Sequence, residues 1–218
     1  MSTVLVTGFK PFDQFSINPS ERIAREIDGT IVSEHKIASR VLGNDTLALG
    51  EGLRKAFRET HPVAVILIGL APSRFALSIE RVAVNFFDHA KADSFGTTRR
   101  NDPIDSNGPP ARFATIPVDA IIQMWADRGL PGFISNSAGT YLCNQSLYIA
   151  LGIAEEMANK PLCGFIHVPL LPEQAAQMEP SRTPSMALET MKAGVRAAIE
   201  ATLNAPQYAV RQVPIGRT

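Results

Sequence analysis

The chain has 218 residues, sets 21 Lys+Arg against 21 Asp+Glu, and is 45% hydrophobic. That apolar fraction excludes a disordered chain, and without a basic excess or a run of like charge neither nucleic acid nor an anionic membrane surface is an expected partner. The longest apolar run, residues 63–71, falls far short of the ~20 residues that cross a bilayer.

The N-terminal stretch has no basic segment and no small-residue cleavage site, so a cytoplasmic location is expected. Two cysteines, Cys143 and Cys163, are too few for a disulfide framework and stand for chemistry or packing. His35, His61, His89 and His167 show neither an HExxH nor a CxxC context, so no metal and no cofactor is expected.

No repeat and no low-complexity linker divides residues 1–218, which read as one domain. Residues 3–7 form a short buried strand. Asn18, Pro19 and Glu21 combine a cap, a proline at the first helical position and a first-turn acid, and start a helix through residue 27. Residues 30–41 are strand-like, and Asn44 or Asp45 caps a helix through residue 59, with Leu47 and Leu53 on its apolar face. The β-branched run at residues 63–68 is a central strand. Residues 76–87 read as one further strand, with Glu80 in line with Val82, Val84 and Phe86. Residues 88–111, rich in Asp, Asn, Gly and Pro, form a long irregular excursion.

A helix over 117–128, a strand over 132–135, a helix over 140–158 and a strand over 162–168 follow. Thr183 and Pro184 start the last helix, through residue 203, and residues 206–218 are an unplaced tail. Strands separated by helices predict an α/β fold, a three-layer α/β/α sandwich around a twisted, largely parallel mixed sheet. In such sheets ligands lie beyond the carboxyl ends of strands, which nominates residues 8–18, 69–73, 136–139 and 169–174.

Cys143 stands just inside the helix after residues 136–139, where the positive helix end favours a thiolate. It reads as a nucleophile or as a small core residue. Ser137 is a rival without the G-x-S-x-G elbow. His167 ends its strand, and its ring is expected at the same sheet edge as Cys143, as a catalytic partner or as a hydrogen-bonded core residue. Cys163 shares its strand face and reads as packing. Glu80, a carboxylate among apolar residues, either needs a partner such as an imidazolium, or is an edge-strand ion pair or a solvated glutamate next to Arg81. Phe9, Phe12 and Phe15 line a loop that either stacks a flat ligand or plugs the core.

These pieces coincide in one family. Val6-Thr7-Gly8-Phe9 with Pro11-Phe12 and Asn18-Pro19-Ser20, Gly69-Leu70-Ala71 leading to Glu80-Arg81, Ser137 through Asn144, and Phe165-Ile166-His167-Val168-Pro169 resemble pyroglutamyl peptidase type I, the cysteine peptidases that remove an N-terminal pyroglutamyl residue. The likeness spans residues 3–203. It implies Cys143 as nucleophile, His167 as general base and acid, and Glu80 as the carboxylate that orients the imidazole. It also implies Phe9 and Phe12 as an aromatic substrate loop, Asn18 as fixing that loop or contacting the lactam, and Arg74 as polarising the site. The expected partners are N-terminally pyroglutamylated peptides, and the resemblance implies a homo-oligomer, a dimer or tetramer. Lys10, Asp13 and Gln14 depart from the family's usual glutamate and Gly-Gly pair and leave pocket detail open. Two other readings stand beside the exopeptidase: a cysteine amidase or deacylase for another small cyclic or amide substrate, and a catalytically weak lactam-binding relative.

Overall fold

The apolar runs and amphipathic segments alternate along the chain as strands and helices. β1 (Thr3–Phe9) leads to α1 (Pro19–Ile27), then to β2 (Ile31–Val32), β3 (His35–Leu42) and α2 (Leu49–Thr60). β4 (Ala64–Leu70) and β5 (Leu77–Glu80) precede four short strands, β6 (Val82–Val84), β7 (Phe87–Asp88), β8 (Arg100–Asp102) and β9 (Ala111–Phe113). α3 (Val118–Asp127), β10 (Gly132–Ser135), α4 (Leu142–Glu156), β11 (Leu162–Val168), α5 (Pro172–Ala175) and α6 (Leu188–Asn204) complete the order. This is a computed structural model, and it describes residues 1–90, 92–178 and 183–205; the tail at 206–218 lies outside them.

Seven strands form one sheet in the order β10-β5-β11-β4-β1-β3-β2. β1 pairs in parallel with β3 and β4, β4 with β11, and β5 with β10, while β5 runs antiparallel to β11 and β2 to β3. β4, at the centre, is buried along its whole length, as a strand covered on both faces must be. One core joins Ile66, Ile68 and Ile166 to Ile23 of α1, Trp125 of α3 and Val195 of α6. The other joins Val65, Leu67 and Phe165 to Leu53 and Phe57 of α2 and Leu147 and Leu151 of α4. Period-two alternation of the strand side chains thus separates two cores, and the α/β/α layering follows. Among the described residues no helix is long and apolar enough to cross a membrane.

Asn18 caps α1 as its sequence context predicts, its Oδ1 accepting the Ser20 N–H at 3.0 Å with Pro19 opening the helix. Such a cap contributes about 1 kcal/mol. Several expectations need correction. Residues 30–41 are a hairpin, because Ser33 and Glu34 both take positive φ, 45° and 66°, the conformation a two-residue turn requires and one that neither residue advertises. The helix near Asp45 begins at Leu49. Asp45 instead accepts the Leu47 and Ala48 N–H groups in a turn before it, which leaves Leu47 73% exposed, outside the apolar face.

Residues 76–87 do not form one strand. Beyond Glu80 the chain leaves the sheet to pair with β9, and Asn144 of α4 holds Val84 through both its N–H and its carbonyl, each at 2.9 Å. Ala83 is the buried residue there, while Val84 and Phe86 are over a third exposed. The excursion at 88–111 is tied down: Asp93 accepts from the Thr46 N–H and hydroxyl and from the Phe95 and Thr97 N–H groups. Burial alone would raise the Asp93 pKa, but those donors, Thr46 first, hold it down at about 2. The last helix starts at Leu188, because Ser185 bridges to Leu170 and the Met186 N–H donates to the Leu170 carbonyl at 2.9 Å, which keeps the segment after Pro184 extended.

Candidate active site

Neighbouring registers place Phe133, Ser78, His167 and Gly69 in one row across β10, β5, β11 and β4, and Ser135, Glu80, Phe165 and Leu67 in the next. Ile79, Ile166 and Ile68 belong to the opposite core, so both rows face the layer of α2 and α4. His167 and Glu80 are a diagonal pair on that face. The imidazole Nδ1 donates to Glu80 Oε1 at 2.7 Å, which leaves Nε2 with its lone pair.

The helix carrying Cys143 reaches the end of the sheet where His167 stands, as expected, but by an indirect path. β5 and β10 run against β11, so Glu80 and Ser135 end level with Phe165, in mid-sheet. The chain then folds back over the sheet face through a turn with Gly139 at φ 79°, and α4 begins at Leu142 with Cys143 as its second residue. Thr140 fixes this segment, with its hydroxyl on the Asp88 carbonyl at 2.6 Å and its own carbonyl accepting the Asp88 N–H. The Tyr141 ring lies 4.0 Å from that of His89.

Cys143 comes to rest over Gly69, the residue paired with His167. A Cβ on Gly69 would lie 2.9 Å from Cys143 Sγ and 2.6 Å from the Phe165 ring. Glycine is therefore required here by close approach, and the sulfur and the imidazole flank the same backbone position. Cys143, His167 and Glu80, three residues far apart in the chain, meet on one face. Cys163 stays in the core.

Burial pushes the Cys143 thiol up to about 12; the Glu80 charge adds to this and Arg74 opposes it. Burial also pushes His167 down, against the hydrogen bond and charge of Glu80, with Arg74 lowering it further. Both shifts favour the neutral forms, thiol and imidazole.

Arg74, expected to polarise the site, lies against Glu80. Its guanidinium donates to Glu80 Oε1 at 2.6 Å, to the Ser135 hydroxyl at 3.1 Å, to the Ser137 carbonyl at 3.0 Å and to the Ser78 hydroxyl. These contacts clamp the carboxylate and the turn that leads to Cys143. Ser78, Ser135 and Asn144 take part in this scaffold although sequence reasoning gave them no role. Ser78 and Ser135 carry no chemical signature outside their register, whereas Asn144 stands in the motif beside Cys143.

The loop at 10–18 is anchored rather than loose. Asn18 donates Nδ2 to the Lys10 carbonyl at 3.1 Å while its Oδ1 accepts from Ser20, so its amide is committed to the loop. Asn44 donates to the Lys10 and Pro11 carbonyls. Phe9 is only 3% exposed and packs in the core. Phe12 is partly exposed, its ring 6.1 Å from that of Phe15 at 67°. Asp13 takes φ 56°, and Gln14 reaches Met178 Sδ. Tyr141, beside the nucleophile candidate, connects the two regions: burial first, then the charges of Asp93, Cys143 and Asp13, raise its hydroxyl pKa to about 12. Among the described residues no group of three or more His, Cys, Asp or Glu side chains gathers to hold a metal.

A family model for pyroglutamyl peptidase matches residues 2–205. The chain belongs to the pyroglutamyl peptidase family. It is 41% identical over 206 residues to a pyrrolidone-carboxylate peptidase of Pyrococcus furiosus, covering 92% of this chain and 99% of that one. It is 39% identical to a second, from Pseudomonas fluorescens, over 94% of this chain and 95% of the other. Among solved structures, a mutant pyrrolidone carboxyl peptidase from Pyrococcus furiosus superposes with a TM-score of 0.89 at 40% identity, over 92% and 98% of the two chains. That of Thermococcus litoralis gives 0.90 at 36% identity, over 93% and 94%.

Proposed function

We propose that the chain is a cysteine exopeptidase that hydrolyses the bond after an N-terminal pyroglutamyl residue, with Cys143, His167 and Glu80 as its catalytic triad. The observation that carries this is Cys143 Sγ and His167 flanking Gly69, with His167 bonded to Glu80, in a chain that matches this peptidase family almost end to end.

Cys143 Sγ attacks the pyroglutamyl carbonyl carbon as its proton passes to His167 Nε2. The first N–H groups of α4, which have no intrahelical acceptor, hold the oxyanion. The C–N bond then breaks as His167 returns the proton to the departing amine, leaving a thioester and a shortened peptide. Water attacks the thioester with His167 again as base, releasing the 5-oxoproline acid and the thiol. Glu80 fixes the tautomer and stabilises the transient imidazolium, and Arg74 is a positioning residue that holds Glu80. Phe12 and Phe15 offer aromatic surface to the flat, neutral lactam, Phe9 anchors the start of their loop in the core, and Asn18 keeps the loop in shape. A charged ordinary N-terminus is rejected because an apolar pocket cannot desolvate an ammonium cheaply. The same reading makes the protein one cytoplasmic catalytic domain that needs no cofactor, assembled as a dimer or tetramer through exposed apolar side chains such as Phe95 and Phe113.

The test is release of amine from a pyroglutamyl amide by purified reduced protein, with the prolyl amide as control. Cleavage confined to the lactam is expected. Cys143-dependent cleavage of other amides alone would favour an amidase, and binding without cleavage a lactam-binding relative.

Three further results are expected from the burial of the pair and from the close approach at Gly69. Alkylation of Cys143 in the free enzyme should still accelerate at pH about 9, the ordinary thiol value, because the thiolate fraction keeps growing there. The acid limb of kcat/KM should lie below pH about 6.5, since His167 must be neutral and burial lowers its pKa. An alkylation plateau near neutrality would mean a standing ion pair and would contradict the neutral resting state. Gly69→Ala should push Sγ and the Phe165 ring off their positions, costing about 1–3 kcal/mol of stability and roughly a hundredfold in kcat. Melting temperature and turnover of that variant measure both losses, and a variant with unchanged turnover would remove the close-approach argument.

A further inference from the structure

Phe75 is 72% exposed, yet its ring stacks on that of Phe133, with centroids 5.8 Å apart and planes 20° from parallel. Phe133 carries the Arg74 guanidinium 5.7 Å from its ring centroid. It also opens the row Phe133, Ser78, His167, Gly69 that runs into the candidate active site. Two strand spacings of ~4.8 Å put it about 10 Å from His167 on the same sheet face.

The strand order gives this pair a direction. The loop at 10–18 follows β1, which lies on the far side of β4 from β11 and β10. Cys143 lies over β4 and His167 stands on β11. The leaving nitrogen must face His167 to receive its proton, so the line from acyl pocket through sulfur to imidazole points across β5 towards β10. An extended peptide advances ~3.3 Å per residue, and its second or third residue beyond the scissile bond arrives at the aromatic pair.

We infer that Phe75 and Phe133 form a leaving-group subsite that receives an aromatic or large apolar side chain from the second or third residue after the pyroglutamyl bond. This rests on the proposed reaction. The occupant is the substrate's own chain, because the patch continues the row of residues that holds His167. Phe75, 72% exposed, supplies the accessible aromatic surface, and Phe133 with the committed guanidinium of Arg74 holds it at the end of that row.

The experiment compares kcat and KM for pyroglutamyl-Ala-Ala-Ala amide with the same peptide carrying phenylalanine at its third or fourth position, for wild type and Phe75→Ala. Wild type should favour an aromatic peptide by roughly five- to tenfold in kcat/KM, through KM. Phe75→Ala should abolish the preference while leaving turnover of pyroglutamyl-alanine amide unchanged. Equal kcat/KM across the series in wild type, or a preference that survives Phe75→Ala, overturns the subsite. So does a change of oligomeric state in Phe75→Ala, by light scattering, with no preference to lose; the pair would then be a contact between copies. Failure to cleave even pyroglutamyl-alanine amide would instead refute the underlying reaction. Equilibrium binding of the same peptides to Cys143→Ala would still decide the subsite, which requires tighter binding of the aromatic peptide.

Discussion

Cys143→Ala is expected to lower turnover of a pyroglutamyl amide by at least about a thousandfold, because the covalent route disappears and only positioning and the oxyanion donors remain. Loss of one sulfur from a half-buried site over Gly69 should leave the fold intact. Circular dichroism and melting temperature would confirm a folded protein, and the rate would then report chemistry alone. Because the nucleophile and its base act as a unit, Cys143→Ala combined with His167→Ala should be scarcely slower than Cys143→Ala itself. A near-wild-type rate in Cys143→Ala would eliminate the thioester mechanism and return Ser137 to consideration.

Glu80→Gln should cost roughly a thousandfold to ten-thousandfold in kcat, with a smaller change in KM. One oxygen, Glu80 Oε1, accepts from both His167 and Arg74. If the amide turns its nitrogen towards the imidazole, Nδ1 must accept, the hydrogen moves to Nε2, and the base facing Cys143 is lost. If the amide oxygen stays in place, the tautomer survives but the counter-charge for imidazolium does not. In either case Arg74, largely buried, loses its ion-pair partner, which should lower stability by about 2 kcal/mol. Denaturant titration and steady-state kinetics separate the two losses. A kcat reduced less than tenfold would show that the carboxylate is a structural partner of Arg74 and no more.

The elements dominated by local pattern were legible without coordinates. The strands at 132–135 and 162–168 and the cap at Asn18 match the structure residue for residue, because β-branched runs and N-cap chemistry act over a few residues. The strand at residues 64–70 runs two residues past its expected end, since Gly69 and Leu70 still pair with His167 and Val168. Glu80, Cys143 and His167 could each be nominated from residue type and position, and the family motifs linked them. The turn at Ser33 and Glu34 could not be seen, since nothing in those side chains favours positive φ.

What the sequence by itself determined, then, is the α/β layering, the periodicities that separate the two cores, and the identity of three chemically suited residues. Only the tertiary structure decided that β5 and β10 run against β11, so that Glu80 stops beside Phe165 and reaches His167 diagonally. It also decided that Arg74 grips Glu80, and that a bare glycine beneath the sulfur lets Cys143 settle there. Strand direction, register and close approach are set by pairings between segments dozens of residues apart. Their free energy lies in shared burial and hydrogen bonds that no local window contains.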